Sequence, residues 1–181
     1  MPVWAWILIA VAAAAIIATV VVVLTSAWNR AVRRYAHHLV GKREEARSIK
    51  RALEELLGQL RTGPDEERAR FADDPEAIER HSLSDLAARA RVLAEELNTM
   101  PLPRRLVPSG EALADAVDVL AEEAERAGEG SNGDERLEAL TMADLERVGR
   151  AFAFADARLG PLCQEYGVDD ESMYGRGLYI R

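Results

Sequence analysis

The fold is decided near the N-terminus by a 22-residue apolar run, residues 3–24, which reads VWAWILIAVAAAAIIATVVVVL. Thr19 is its only polar member. As an α-helix the run is about 33 Å long, which matches the roughly 30 Å hydrocarbon core of a bilayer. In lipid a single segment satisfies its own backbone groups only as a helix, and Trp4, Trp6 and Trp28 suit the two interfaces. The run therefore predicts a transmembrane helix.

Charge divides the 181 residues into three zones. Residues 1–27 contain no Asp, Glu, Lys or Arg, and residues 28–51 hold eight basic and two acidic side chains. Residues 52–181 hold 15 basic and 29 acidic side chains, and the whole chain has a net charge of −8. An uncharged block, a basic collar and an acidic body are typical of a membrane anchor with a soluble domain. A strongly acidic body also argues against nucleic acid as a partner. The preference for Arg over Lys and the abundance of Ala suggest a bacterial, GC-rich source.

Basic residues that follow the run predict the orientation of the chain. Arg30, Arg33, Arg34, Lys42 and Arg43 lie within about 20 residues of its C-terminal end, and positive flanks stay in the cytoplasm. We therefore expect a single-pass protein of the cell membrane with its N-terminus outside and its C-terminal domain in the cytoplasm. The same five side chains are expected to contact anionic lipid headgroups.

Two other interpretations of the N-terminal segment are open. A cleaved signal peptide would have basic residues before a shorter apolar core, and neither feature is present, although residues 25–27 form a tolerable cleavage triplet. Ala10, Ala14 and Ala18 form a small-residue face that would allow two spans to pack closely, but an Ala-rich helix contains such triplets by chance.

An apolar stripe with a 3-4-3-4 spacing follows the collar. It comprises Ala46, Ile49, Leu53, Leu56 and Leu60, and Gly63 and Pro64 then end the helix. The stripe predicts either a short parallel coiled coil, with self-association through Ile49, Leu53, Leu56 and Leu60, or one helix that packs on its own domain. We lean towards pairing, because the Gly-Pro break would uncouple the helix from the residues that follow.

Further amphipathic stripes predict a small helical bundle. Three begin at Leu83, Leu113 and Leu145, and the expected caps are Ser82 or Ser84, Ser109, and a Thr141–Asp144 capping box. A shorter helix is expected at residues 75–80 with Asp74 as its cap, and Gly160-Pro161 is expected to kink or split the last helix.

The predicted fold is therefore all-α: a transmembrane helix that continues into a juxtamembrane helix, followed by a small cytoplasmic helical bundle. The expected divisions are a transmembrane anchor (residues 1–27), a basic juxtamembrane amphipathic helix (28–62), a helical bundle (63–166) and a flexible tail (167–181). A chain that starts near Gly63 is expected to fold without the membrane.

Catalytic and cofactor motifs for phosphate, dinucleotide, zinc or acyl chemistry do not occur in the sequence. The three histidines are expected at the surface or at helix ends, and Cys163 is expected to be a small buried hydrophobe. Glu111, Asp115, Asp118, Glu122 and Glu125 form an acidic ridge that we expect to be a solvated face. Residues 101–105, PLPRR, resemble a ligand of a groove-binding module, but an interhelical loop is the simpler interpretation. No cofactor or metal is expected.

Three functions are compatible with this organisation. The first is a non-enzymatic membrane-anchored adaptor or scaffold with a cytoplasmic interaction domain and a protein partner in the membrane or cytoplasm. The alternative is a dimeric regulatory or sensory subunit of a membrane complex. A third is a membrane-tethered enzyme that uses scattered carboxylates, and it has no motif to support it.

Overall fold

The computed structural model describes residues 3–168 and, within the apolar run, the side chains of Trp4 and of residues 14 onward. Its helices are α1 (Val3–Thr62), α2 (Asp65–Asp73), α3 (Ile78–Thr99), α4 (Val107–Gly128), α5 (Gly133–Met142) and α6 (Leu145–Tyr166). No strand occurs among these residues, so the all-α class is confirmed.

Helix α1 is 60 residues long, or about 90 Å, and is not interrupted between the apolar run and the core of the protein. Its side chains are exposed from Ala14 to Arg30, and burial begins at Val32. It is the one helix in the described residues that is long and apolar enough to cross a membrane. One continuous helix therefore joins the candidate span to the folded domain.

Helix α4 forms the centre of the bundle. Alanines and branched side chains are buried on most of its circumference, including Ala116, Val117, Leu120 and Ala121. Such a helix must be covered on several sides, and α1, α3 and α6 pack around it. The small alanines let these neighbours approach closely.

Contacts along the bundle give the direction of each helix. Lys42 of α1 pairs with Glu96 near the end of α3, whereas Leu56 lies beside Leu86 nearer its start, so α3 runs antiparallel to α1. Gly128 at the end of α4 lies close to Leu83 near the start of α3, and Gly110 at the other end lies close to Leu39, so α4 runs parallel to α1.

Helix α6 runs antiparallel to α4. The Ser109 hydroxyl donates to the Arg158 carbonyl (3.1 Å) at one end, and Arg147 contacts Glu123 (2.8 Å) nearer the other. Helix α3, like α6, runs antiparallel to α4. The end that holds the start of α4 and the ends of α3 and α6 is therefore the end nearest the apolar run.

One core extends from Val32 of α1 to Val168 after α6. It crosses the expected division at residues 62 and 63, because the C-terminal half of α1 supplies one wall of the bundle. Val168, in the segment expected to be a tail, is 1% exposed, and its N–H donates to the Cys163 carbonyl (2.8 Å). The rest of that segment, residues 169–181, lies outside the described residues.

The expected start of α3 was wrong. Pro75 and Glu76 form a turn instead of a short helix, and Asp74 Oδ1 accepts from the Glu76 N–H (2.9 Å) within it. Helix α3 begins at Ile78, so Ser82 and Ser84 lie inside it and do not cap it.

Two other caps differ from expectation. Helix α4 begins at Val107, with proline in its first turn, and Ser109 is buried against α6 instead of capping. Asp144 does cap α6, accepting from the Arg147 N–H (2.8 Å), but Thr141 bonds to carbonyls within α5 and completes no capping box. Helix α6 passes through Pro161 without being split.

The short helices α2 and α5 were not predicted and close the end of the bundle farthest from the apolar run. Phe71 anchors α2 with its ring fully buried, and Asn132 caps α5 by accepting from the Glu135 N–H (2.9 Å). Arg61 donates to the carbonyls of Leu140 (2.8 Å) and Ala143 (2.7 Å), which fixes the end of α5 against α1.

Candidate membrane interface

The described part of the apolar run is exposed on every side. Ile16 and Ile17 are each 65% exposed and Leu24 is 63% exposed, with no helix of the bundle beside them. Soluble proteins rarely expose so large a continuous apolar surface, because its transfer from water is favourable. This surface fits a hydrocarbon environment, and Trp28 (56% exposed) lies at its end, where an amphipathic ring suits the headgroup region.

Arg30, Arg33 and Arg34 are exposed just beyond this surface. They lie about 9–15 Å past Leu24 along α1, and helical side chains lean towards the N-terminus, here towards the candidate membrane. The described contacts of two of them are long: Arg30 Nε to the Ser26 carbonyl (3.3 Å) and Arg33 Nη2 to the Gly167 carbonyl (3.5 Å). These three guanidinium groups are well placed to meet anionic headgroups.

Lys42 does not belong with them, which corrects the sequence-based assignment. Its Nζ pairs with Glu96 of α3 (2.5 Å) and with Glu45 (3.0 Å). The hydrogen bond from Lys42 to Glu96 is the largest reason that the pKa of this lysine is raised. Lys42 thus holds α1 to α3. It lies about 27 Å past Leu24 along the helix, which is farther from the apolar run than a headgroup layer extends.

Arg43 is also an internal residue, only 6% exposed. It pairs with Glu44 (3.3 Å) and with Asp156 of α6 (3.9 Å), and the neighbouring Arg47 reaches the same Asp156 (2.8 Å). The predicted lipid contact is wrong for Arg43, because its guanidinium group lies between α1 and α6. Asp156 is more than 100 residues away in sequence, so no local pattern indicates this pairing.

The predicted self-association stripe is used by the chain itself. Ile49, Leu53 and Leu60 are at most 2% exposed within the single chain, whereas Leu56 is only half-buried and Leu57 is fully buried in the core. The buried leucines are therefore covered by the chain's own helices and are not exposed to a second copy. Of the two interpretations left open by the spacing, the structure favours packing on the chain's own domain.

A buried ionic cluster joins α4 to α6. Glu123 is fully buried, and its carboxylate accepts from Arg126 (2.6 Å), Arg147 (2.8 Å) and the Asp144 N–H (3.0 Å). Burial favours the neutral acid, but these three donors outweigh it and lower the pKa of Glu123. The cluster fixes the start of α6 and is a structural feature, remote from the candidate membrane interface.

The acidic ridge is partly neutralised by a neighbouring helix. Arg91 of α3 pairs with Glu125 (2.9 Å) and Asp118 (3.3 Å), and its hydrogen bond is the main reason that the pKa of Glu125 is lowered. Glu111 and Asp115 of the ridge are exposed and form no such pair among residues 3–168.

Residues 3–168 contain no group of three His, Cys, Asp or Glu side chains arranged to hold a metal ion. Cys163 is buried on the inner face of α6, as its spacing predicts. An open cleft of about 670 Å³ lies between α3 and α4, and the Glu125 that lines it is committed to Arg91. Its other polar lining residues are Arg80, His81, Ser84 and Glu129.

Comparison with known proteins found no match among family models, curated proteins or solved structures.

Proposed function

We propose that this protein is a single-pass membrane protein whose cytoplasmic helical bundle acts as a non-enzymatic adaptor or scaffold. The observation that carries the proposal is the continuity of α1, which is exposed and apolar up to Leu24 and becomes part of the bundle core at Val32. Only about 12 Å of helix separates these two residues. The bundle would thus be held at a fixed height and orientation against the membrane.

The proposed orientation depends on three arginines. Arg30, Arg33 and Arg34 flank the C-terminal end of the apolar run. The positive-inside rule then favours a cytoplasmic bundle. Lys42 and Arg43 do not contribute to this orientation, because their charges are paired within the bundle.

The outer surface of α3 supports a role in protein binding. Val92 is 57% exposed beside a shallow groove of about 250 Å³, which it lines with Ala88 and Leu93 from α3 and with Glu45 from α1. A small apolar surface with a charged rim is the usual composition of a protein–protein contact.

A dimeric regulatory or sensory subunit is the second candidate, and its geometry is now restricted. The leucine stripe of α1 is buried, so it is not the surface through which two copies would pair, whereas Ala14 and Ala18 of the span are exposed on one face. Replacing Ala14 and Ala18 with Ile would block such pairing. A dimer that this double change abolishes in membranes would favour the second candidate.

The adaptor proposal is tested by photo-crosslinking in living cells. A photoreactive amino acid at Val92 should capture a discrete protein partner, whereas the same amino acid at Ser131, exposed in the loop before α5, should not. The change Val92→Asp, with the photoreactive group moved to Ala88, should abolish the product. Crosslinks only to a second copy of the chain, or none at any site on the bundle, would contradict the adaptor role of this surface.

A further inference from the structure

The loop between α3 and α4, residues 100–106, lies at the end of the bundle nearest the apolar run. Leu102 packs over Gly110, beside Leu39 of α1, and a Cβ added at Gly110 would lie 2.2 Å from a Leu102 methyl. Arg105 Nη1 bonds to Glu165 (2.9 Å) and to the Tyr166 hydroxyl (3.2 Å) at the end of α6. The loop thus shares this end with Arg33, whose guanidinium reaches Gly167.

This end of the bundle differs in charge from the rest. It is formed by residues 25–41, 97–110 and 159–168, which together carry five arginines and one carboxylate. The remaining described residues carry 16 basic and 27 acidic side chains. A protein with one basic end and an acidic body aligns its basic end with a negative surface.

Of the two arginines in the loop, Arg104 is the one whose guanidinium group is available to bind a ligand. It is exposed and forms no ion pair with any residue from 3 to 168, whereas Arg105 is engaged by Glu165 and Tyr166. Gly110 lies level with Leu39, and the loop precedes it by a few residues towards the membrane. This places the loop at about the height of Arg33 and Arg34, within reach of the electrostatic field of a charged bilayer.

We propose that Arg104, in the loop between α3 and α4, is a second contact with anionic lipid headgroups, separate from the arginines of α1. The proposal rests on the proposed membrane anchoring and extends it: α1 fixes the height of the bundle, and Arg104 fixes its rotation and tilt. The ligand is the phosphate or carboxylate of an acidic lipid, and Arg104 donates to it through its guanidinium group.

Energy transfer in nanodiscs tests the proposal on the full chain. A donor dye is placed on Pro101→Cys in a Cys163→Ala background, and the acceptor is a headgroup-labelled lipid. Transfer should rise roughly twofold when neutral phosphatidylcholine is replaced by a mixture with phosphatidylserine, and the rise should vanish near 1 M salt, where the Debye length is about 3 Å. A dye on Ser131→Cys, at the other end of the bundle, should show no such rise.

Two matched variants separate this contact from overall charge. Arg104→Glu should remove the rise at position 101, and Arg104→Gln should reduce it. Arg89→Glu changes an exposed α3 arginine, also without an ion pair among residues 3–168, and should leave the rise intact. A chain ending after Val168 removes the acidic residues that follow in sequence, and its rise should be at least as large.

The outcomes distinguish the two proposals. A chain that does not incorporate into nanodiscs overturns the membrane anchoring, and this inference with it. A chain that incorporates but shows equal transfer in neutral and acidic lipid, or equal transfer in Arg104→Glu and the parent, overturns the Arg104 contact alone.

Discussion

Arg147 Nη1 lies 2.8 Å from the fully buried carboxylate of Glu123, an ion pair that joins the first turn of α6 to the C-terminal part of α4. Arg126 and the Asp144 N–H complete the shell of donors around this carboxylate. Removing one partner of a buried pair leaves the other uncompensated, which costs more than the pair itself contributes. The cluster therefore holds the last helix of the bundle in place.

Replacing Glu123 with Ala should destabilise the bundle by about 2–4 kcal/mol, because two guanidinium groups and one N–H lose a shared acceptor. Glu122, whose side chain is 43% exposed and which forms one ion pair among residues 3–168, with Arg147, is the matched control. Glu122→Ala should cost about 1 kcal/mol or less. Urea unfolding in micelles measures both, and equal losses would contradict the role of burial.

Acid should weaken the same cluster. Burial alone would raise the pKa of Glu123, but its donors hold that pKa below the usual 4.5, so the unfolded chain takes up this proton at a higher pH than the folded chain. The stabilisation is complete above about pH 4.5 and is lost as the pH falls through the folded pKa. The stability difference between the parent and Glu123→Gln should shrink between pH 6 and roughly pH 3. A constant difference over that range would contradict the assignment.

Adjacent leucines in α1 test whether the stripe packs on its own chain. Leu57 is fully buried and Leu56 is only half-buried. Leu57→Ala should therefore cost about 2–5 kcal/mol, and Leu56→Ala much less. Thermal melts in micelles measure the stability of each variant, and crosslinking in membranes reports its oligomeric state. Loss of a dimer in Leu56→Ala with no change in stability would favour pairing instead.

The register of that stripe shows what local sequence patterns determine. A 3-4 spacing places one face of α1 inwards, and it correctly marked Ile49, Leu53 and Leu60 as apolar positions of one face. The 3-4 spacing placed Leu56 on the buried face, whereas the structure buries Leu57. The two leucines are adjacent and only about 100° apart around the helix, so both fit the same period. Only the position of the neighbouring helices decides between them.

The basic residues predicted to contact lipid show the limit of composition. A count of charges treats the five basic residues assigned to the membrane surface alike. In the structure, however, Lys42 and Arg43 are paired with Glu96 and Asp156, which other helices supply. The helical rise alone would have separated them from Arg30, because about 27 Å of helix lies between Leu24 and Lys42. Arg104, by contrast, is far from the run in sequence. The packing of α3 and α4 brings it to the end of the bundle nearest the apolar run.

The short helices were missed for a different reason. Helix α2 has nine residues and α5 has ten, too few for an apolar period to be seen, and isolated helices of that length are marginal in water. Long-range contacts stabilise them, such as the bond from Arg136 Nη1 to the Ala72 carbonyl (2.5 Å).

Truncation should show that α1 belongs to the bundle. A chain of residues 28–181 keeps the buried leucines of α1 and should be soluble, helical and cooperative in unfolding. A chain of residues 63–181 loses Leu39, Leu53 and Leu57 from the core and should lose cooperative unfolding. Circular dichroism during urea titration checks both. Cooperative unfolding of the shorter chain would restore the division at residue 63.

The most direct test of the account is the topology of the full chain, measured with two C-terminal reporters, one active only in the cytoplasm and one active only outside. We expect the protein to stay in the membrane fraction after carbonate extraction, the cytoplasmic reporter to be active and the external reporter to be silent. Exchanging Arg30, Arg33 and Arg34 for Ser should weaken this preference, because these are the charges that hold the bundle inside. An active external reporter, or a full-length protein released into the soluble fraction, would contradict the claim that α1 anchors a cytoplasmic bundle.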